Sequence, residues 1–188
     1  MNQKSERKIY LQHFRAISHA ISTYEDLNVL TSHLAEGTSR RFKAKGCSIM
    51  LLDERDNQLY HVSSHGISEE YLNKGPIMLD DKDCAICKGE PVFVEDMQND
   101  ARVQYPEAAA KEGIVSMLSI PVKCREAIIG VIRIYHGEAR RIHDEDIESL
   151  CVMSEHLGLV IENNGLKNFL DGVKAAMESL PPRMLKDL

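Results

Sequence analysis

The sequence has no apolar run approaching the ~20 residues that span a bilayer, and its opening, MNQKSERKIY, lacks the apolar stretch of a signal peptide. Both absences lead us to expect a cytoplasmic chain with no membrane partner. Positive charge is also scarce: 23 Lys and Arg stand against 29 Asp and Glu, a net charge of −6. Nucleic-acid backbones require clustered positive charge, so no such partner is expected. The basic clump of Arg40, Arg41, Lys43 and Lys45 reads as a solvated helix end. The five cysteines are an odd number with no secretion signal, and they read as reduced thiols. There is no internal repeat, no long Pro-, Gly- or Ser-rich linker, no glycine-rich phosphate loop, no Gly-x-Ser-x-Gly elbow and no His-Glu-x-x-His zinc motif. Nothing therefore points to a hydrolase or a transferase.

What is present is an ordinary globular composition, 43% hydrophobic and 28% charged over 188 residues, enough for one domain with a helical extension at each end. Ile9, Phe14, Ile17 and Ile21 recur at helical spacing and predict an amphipathic helix within residues 1–24. A second helix is expected from Glu25 to about Phe42, with Leu27, Leu30, Leu34 and Phe42 on one stripe. The period then changes to that of strands: Gly46–Asp53 and Gln58–His65 form a hairpin, and Glu90–Val94 is a further short strand. Helical turns are expected within Asp83–Lys88 and over Glu107–Glu112. Ser116–Lys123 and Ala127–His136 are antiparallel strands, the second nearly all apolar and so central. Asp144 is read as the cap of a final helix whose stripe of Ile147, Leu150, Leu157 and Ile161 resumes at Phe169, Leu170, Val173, Met177 and Leu180, unless Asn163-Asn164-Gly165 breaks it. The plan is α+β: helices on one face of an antiparallel sheet, with short helices and loops covering a ligand pocket on the other.

Several segments in order then carry a family likeness. They are Gly46-Cys-Ser-Ile-Met-Leu-Leu-Asp53, Ser64-His-Gly66, Lys88-Gly-Glu-Pro-Val-Phe-Val-Glu-Asp96, Asn99-Asp-Ala-Arg102 with Tyr105-Pro-Glu107, Gly113-Ile-Val-Ser-Met-Leu-Ser-Ile-Pro-Val122 and Ile129-Gly-Val-Ile-Arg133. With these the chain resembles the GAF domain family of sensing modules over about Leu27 to Asn164. The resemblance implies a six-stranded antiparallel sheet, helices on one face that often dimerise, and a small-molecule pocket on the other; the expected division is 1–24, a GAF domain over 25–164, and a C-terminal helix and tail over 165–188. It also separates the family's branches. The Asn-Lys pair of cyclic-nucleotide-binding members is missing, and no cysteine is followed by the His at which bilin-binding members commonly attach their chromophore. The branch of free methionine-(R)-sulfoxide reductases works through pocket cysteines spaced more widely than Cys84-Ala-Ile-Cys87.

Cys84 and Cys87 stand at i and i+3, where two thiols share a helix face. They read either as a redox pair or half of a metal site, or as small buried hydrophobes. His61 and His65 are ~13 Å apart if on one strand, too far for one ion, although either could join the cysteines across the pocket. Alternation on the central strand places Ile129, Val131, Arg133 and Tyr135 on one face and Ile128, Gly130, Ile132 and Ile134 on the other. The second set should meet the helices, leaving the Arg133 guanidinium and the Tyr135 hydroxyl toward the pocket. Arg133 would there clamp a carboxylate or phosphate, or else pair with a structural acid such as Asp96 or Glu95. By the family pattern Met117 and Ser119 face the same way.

The expected ligand-contacting set is therefore Cys84, Cys87, Tyr105, Met117, Ser119, Arg133, Tyr135 and His61, with no catalytic residue, and metal ligation only through Cys84 and Cys87. No motif identifies a cofactor. The terminal helices leave apolar stripes uncovered, which predicts a homodimer through Ile9, Phe14, Ile17, Leu157, Ile161 and Phe169, together with a signalling partner. The function expected is a ligand-binding sensor coupled to those helices, the alternative being a thiol redox or metal sensor, or a reductase, built on Cys84 and Cys87.

Overall fold

The computed structural model describes residues 26–79 and 84–178, with side chains as far as 175. The helix expected over residues 1–24, with Ile9, Phe14 and Ile17, lies outside them, as does the chain beyond 178.

Helix α1, Leu27–Phe42, begins at Asp26, whose carboxylate accepts from the Asn28 and Val29 amides, and ends where Lys43 turns left-handed at φ 49°. Strands β1 (Gly46–Asp53) and β2 (Gln58–His65) form the expected hairpin. Helix α2 (Glu69–Leu72) and the two-residue strand β3 (Ile77–Met78) follow, both within a stretch whose sequence has no period to read. Then come α3 (Ala85–Lys88), β4 (Val92–Val94), α4 (Pro106–Glu112), β5 (Ser116–Cys124), β6 (Ala127–His136) and α5 (Asp144–Glu178). The sheet has six strands in the order β3-β2-β1-β6-β5-β4, with every neighbouring pair antiparallel. The apolar β6 is thus internal, as its composition requires.

Helices α1 and α5 cover one face. Leu30, Leu34 and Phe42 from α1 and Leu150, Met153 and Leu157 from α5 pack with Cys47, Ile49, Ile120, Ile132 and Ile134 in one buried cluster. Helix α5 sits close to β5 because it presents small residues there. A Cβ at Gly158 would lie 2.0 Å from the Lys123 carbonyl oxygen, and the Ser154 hydroxyl donates to the Pro121 carbonyl. The other face carries two clusters, one around Met50, Leu59, Ile77, Val92 and Val131, the other around Tyr71, Val94, Met97, Met117 and Tyr135.

Three expectations are corrected. Strict alternation put Ile129 with Val131 and Ile128 with the helices, but the pairing jumps from Val122↔Gly130 to Lys123↔Ile128. The bulge leaves Ile129 over and reverses both: Ile129 packs on the helix side and Ile128 on the other. The first residue inside α5 is Asp144, and it is His143 whose ring Nδ1 accepts from the Glu145 amide at 3.2 Å. Of the two courses the sequence left open for the last helix, the unbroken one is found: α5 runs through Asn163-Asn164-Gly165, and at 1.5 Å per residue its 35 residues reach about 52 Å. Leu157, expected at a dimer face, is fully buried in the chain's own core, whereas Phe169 is 67% exposed.

Candidate functional site

On the face away from α1 and α5, a cleft forms over β5 and β6. Its floor carries Met117 and Ser119 from β5 and Val131 and Arg133 from β6. Ser119 pairs directly with Arg133 across the two strands, so the hydroxyl and the guanidinium point the same way. Leu59, Ile77, Val92 and, from α3, Ile86 supply an aliphatic wall.

The roof is a loop stapled on both sides. Gln104 holds β3 by its amide, accepting from the Met78 amide at 3.0 Å and donating to the Met78 carbonyl at 2.5 Å. The neighbouring Tyr105 hydroxyl donates to the Pro76 carbonyl at 2.6 Å. On the far side the Arg102 guanidinium donates to the Asp100 carboxylate and to the Phe93 carbonyl of β4. Glycine is required at position 75, where φ is +132° and a Cβ would meet the Tyr105 hydroxyl at 2.6 Å. Counted with its mouth, the cleft encloses about 740 Å³ of empty space, of which about 60 Å³ admits the centre of a water molecule.

Three cations line this space: Lys74, Arg102 and Arg133. Arg102 is neutralised by Asp100. Neither Lys74 nor Arg133 has a carboxylate at ion-pair distance among the described residues. The Lys74 ammonium donates to the Tyr71 carbonyl at 3.0 Å, stands 3.9 Å from the centre of the Tyr71 ring and 6.0 Å from that of Tyr105. Burial, with the nearby Arg133 charge adding to it, lowers its pKa to about 8. The buried Arg133 Nε has no hydrogen-bond partner among the described residues. Asp96, proposed above as its structural acid, is instead spent on its own turn, accepting from Gln98 and Asn99.

Of the eight residues expected from sequence, Cys84, Tyr105, Met117, Ser119 and Arg133 border the cleft, and Cys87, Tyr135 and His61 do not. Tyr135 does turn to this side of the sheet, but it is buried beneath the Tyr71 ring, 5.8 Å away edge-on, and its hydroxyl bonds Ser48 at 3.0 Å. His61 is exposed on β2, outside the lining. The two thiol sulfurs are 3.0 Å apart, Cys84 at the start of α3 and Cys87 exposed at its end. Among the described residues no three His, Cys, Asp or Glu side chains are placed to hold a metal ion, and no helix is long and apolar enough to cross a membrane. Sequence reasoning missed Lys74, Tyr71, Arg102 and Gln104. Only the Gly75-Pro76 turn beside Lys74 offered a signal, and it marks a bend rather than a direction.

This architecture can be set beside known proteins. The GAF domain family model matches residues 26–161. The chain belongs to the GAF domain family. Among solved structures it is similar to the GAF domain of a phosphoenolpyruvate-protein phosphotransferase from Acinetobacter, with a TM-score of 0.71 at 20% identity, covering 84% of this chain and 96% of that one. It is also similar to a free methionine-R-sulfoxide reductase from Neisseria meningitidis solved with its substrate, with a TM-score of 0.69 at 16% identity over 87% and 98% of the two chains. A third similar structure is the phycoerythrobilin-bound GAF domain of a cyanobacterial phytochrome, with a TM-score of 0.63 at 15% identity over 85% and 100%. At these identities the likeness is one of fold. No curated protein matches in sequence. GAF domains are in general regulatory modules that sense small molecules and signals, and this one has the family's sheet, helices and cleft.

Proposed function

We propose that this GAF domain is a sensor that takes a small organic molecule into the cleft and transmits its presence to α1 and α5, without turnover. The observation that carries this reading is the position of the cleft. It lies directly over β5 and β6; α5 packs on the opposite face of β5, and Ile132 and Ile134 of β6 join the same buried cluster, so one strand layer separates ligand from output helix. A ligand shifts such an equilibrium only by its preference for one arrangement, and contacts to β6 supply a route for that preference. We further propose that two copies pair along the exposed stripe of α5, where Leu166, Phe169, Leu170 and Val173 stand at helical spacing beyond the domain core.

Native mass spectrometry of the freshly purified chain tests the sensor reading. A noncovalent small-molecule mass that disappears on denaturation is expected. A chain that stays bare when incubated with small-molecule extract of its own cells would count against it.

A second reading is favoured by the 3.0 Å separation of the Cys84 and Cys87 sulfurs. In it the pair closes to a disulfide, giving up two protons and two electrons to an oxidant such as a peroxide, with Cys84 bordering the cleft. Alkylation before and after peroxide treatment separates the two readings. Replacing both cysteines by serine abolishes a thiol response and leaves small-molecule binding nearly unchanged.

A further inference from the structure

The cleft is apolar on its walls yet holds two positive charges that no described carboxylate neutralises. These come from different elements: Lys74 from the loop before β3, and Arg133 from the middle of β6. A protein of net charge −6 has carboxylates to spare, so two cations with no described carboxylate at ion-pair distance in a partly dehydrated space are a standing cost. Beside them Ser119, a buried residue, lines the cleft opposite Arg133. A buried donor left without a partner among the described residues, as the Arg133 Nε is, is the mark of a site built for something that arrives.

We propose that the ligand is a small organic oxyanion, a carboxylate or phosphate on an apolar body, with its oxygens held by Arg133, Lys74 and the Ser119 hydroxyl. Its body lies against Leu59, Ile77, Ile86 and Val92. A guanidinium presents paired N–H donors to two oxygens of such a group, the ammonium adds a third charge-assisted bond, and the hydroxyl donates a fourth. The Lys74 ammonium is already fixed over the Tyr71 ring and by the Tyr71 carbonyl, so little freedom remains to be lost on binding. This inference rests on the reading of the cleft as a small-molecule site and adds the class of molecule.

The test uses the full chain and acid/amide pairs of equal shape, benzoate against benzamide and hexanoate against hexanamide, with phenyl phosphate and inorganic phosphate as further arms. Binding is followed by methyl NMR shifts of Ile77, Ile86 and Met117. The acids are expected to move these methyls and the amides to move them far less. Arg133→Gln and Lys74→Met should each weaken acid binding about tenfold or more, the loss of a charge-assisted hydrogen bond. Arg133→Lys should restore part of it. Phenyl phosphate outbinding benzoate would place the natural ligand among phosphate esters, and the reverse order among carboxylates. The melting temperature of the ligand-free protein supplies a readout that a structural role would not give. Because neither cation meets a carboxylate among the described residues, Arg133→Gln and Lys74→Met should leave it unchanged or raise it even though they give up hydrogen bonds to the Tyr135 hydroxyl and the Tyr71 carbonyl, whereas a structural arginine held by an acid would lower it. Amides binding as well as acids would overturn the oxyanion inference and leave the small-molecule reading standing. Failure of every probe to move the cleft methyls would count against both.

Discussion

Lys74 gives the cleft a pH dependence whose sign is fixed by its surroundings. Among the described residues the groups facing it are Tyr71 on α2, Tyr105 on the roof, Arg133 on β6 and, farther out, His61 on β2, none of them a carboxylate. Between about pH 8 and the ordinary lysine value of 10.5 the unfolded chain keeps a proton that the folded chain has released. Stability owed to this group therefore rises with pH across that window. Lys74→Met should accordingly be more stable than the parent below about pH 8, with the gap closing toward 10.5, in urea melts of the two proteins run side by side. His136 works at the other end of the scale. Burial first and the Arg140 charge second, opposed by Glu138, lower its pKa to about 4, and its buried Nε2 is without a hydrogen-bond partner among the described residues. As pH falls from the usual 6.5 through about 4, the unfolded chain takes up a proton that the folded chain resists, and stability is lost. His136→Gln should flatten that acid slope in the same melts. The direction of Arg133 was legible in the sequence because alternation along an apolar strand dictates it, and that of Ser119 through the family pattern. Lys74 was not, since in a non-repeating loop only the packing of Tyr71 and Tyr105 determines where the ammonium goes.

At the level of elements, strands and long helices declared themselves by period, and α1, β1, β2, β5, β6 and α5 stand where the apolar pattern puts them to within a residue or two. What escaped were α2 and β3, too short to show a period, and the bulge at Ile129, which depends on pairing with β5 rather than on any residue of β6. The packing of α5 was likewise unreadable, because the small residues Ser154 and Gly158 leave no mark in an apolar stripe. They nonetheless set its distance from β5. Gly158→Ala should force the helix away from the Lys123 carbonyl at a cost of ~1–3 kcal/mol, the range for overpacking a tight contact. A lowered melting temperature would check this. Gly165→Ala, further along the same helix with nothing within 4 Å of its new methyl, provides the control and should melt no lower than the parent.

At the scale of the whole molecule the division of labour is one sheet with two unlike faces. On one side the helices bury a continuous aliphatic cluster, and on the other an otherwise acidic protein brings Lys74 and Arg133 into a cleft with no carboxylate at ion-pair distance among the described residues. Helix α5 spans both concerns, since its first half packs on β5 and its second half extends past the domain with Phe169 and Leu170 exposed at 67% and 63%. If that stripe joins two copies, Phe169→Asp with Leu170→Asp should halve the mass measured by light scattering while leaving cleft binding intact. A double variant that keeps the parent mass would place the dimer contact elsewhere. The most direct measurement for the account as a whole is a methyl NMR spectrum of the intact chain, with and without the small-molecule extract of its own cells. Ile77, Ile86 and Met117 report the cleft, and Ile132 and Ile134 report the helix face. The account predicts that both sets shift together and that Arg133→Gln silences both. Cleft methyls that stay still in the extract, or that shift while the helix-face methyls do not, would contradict it.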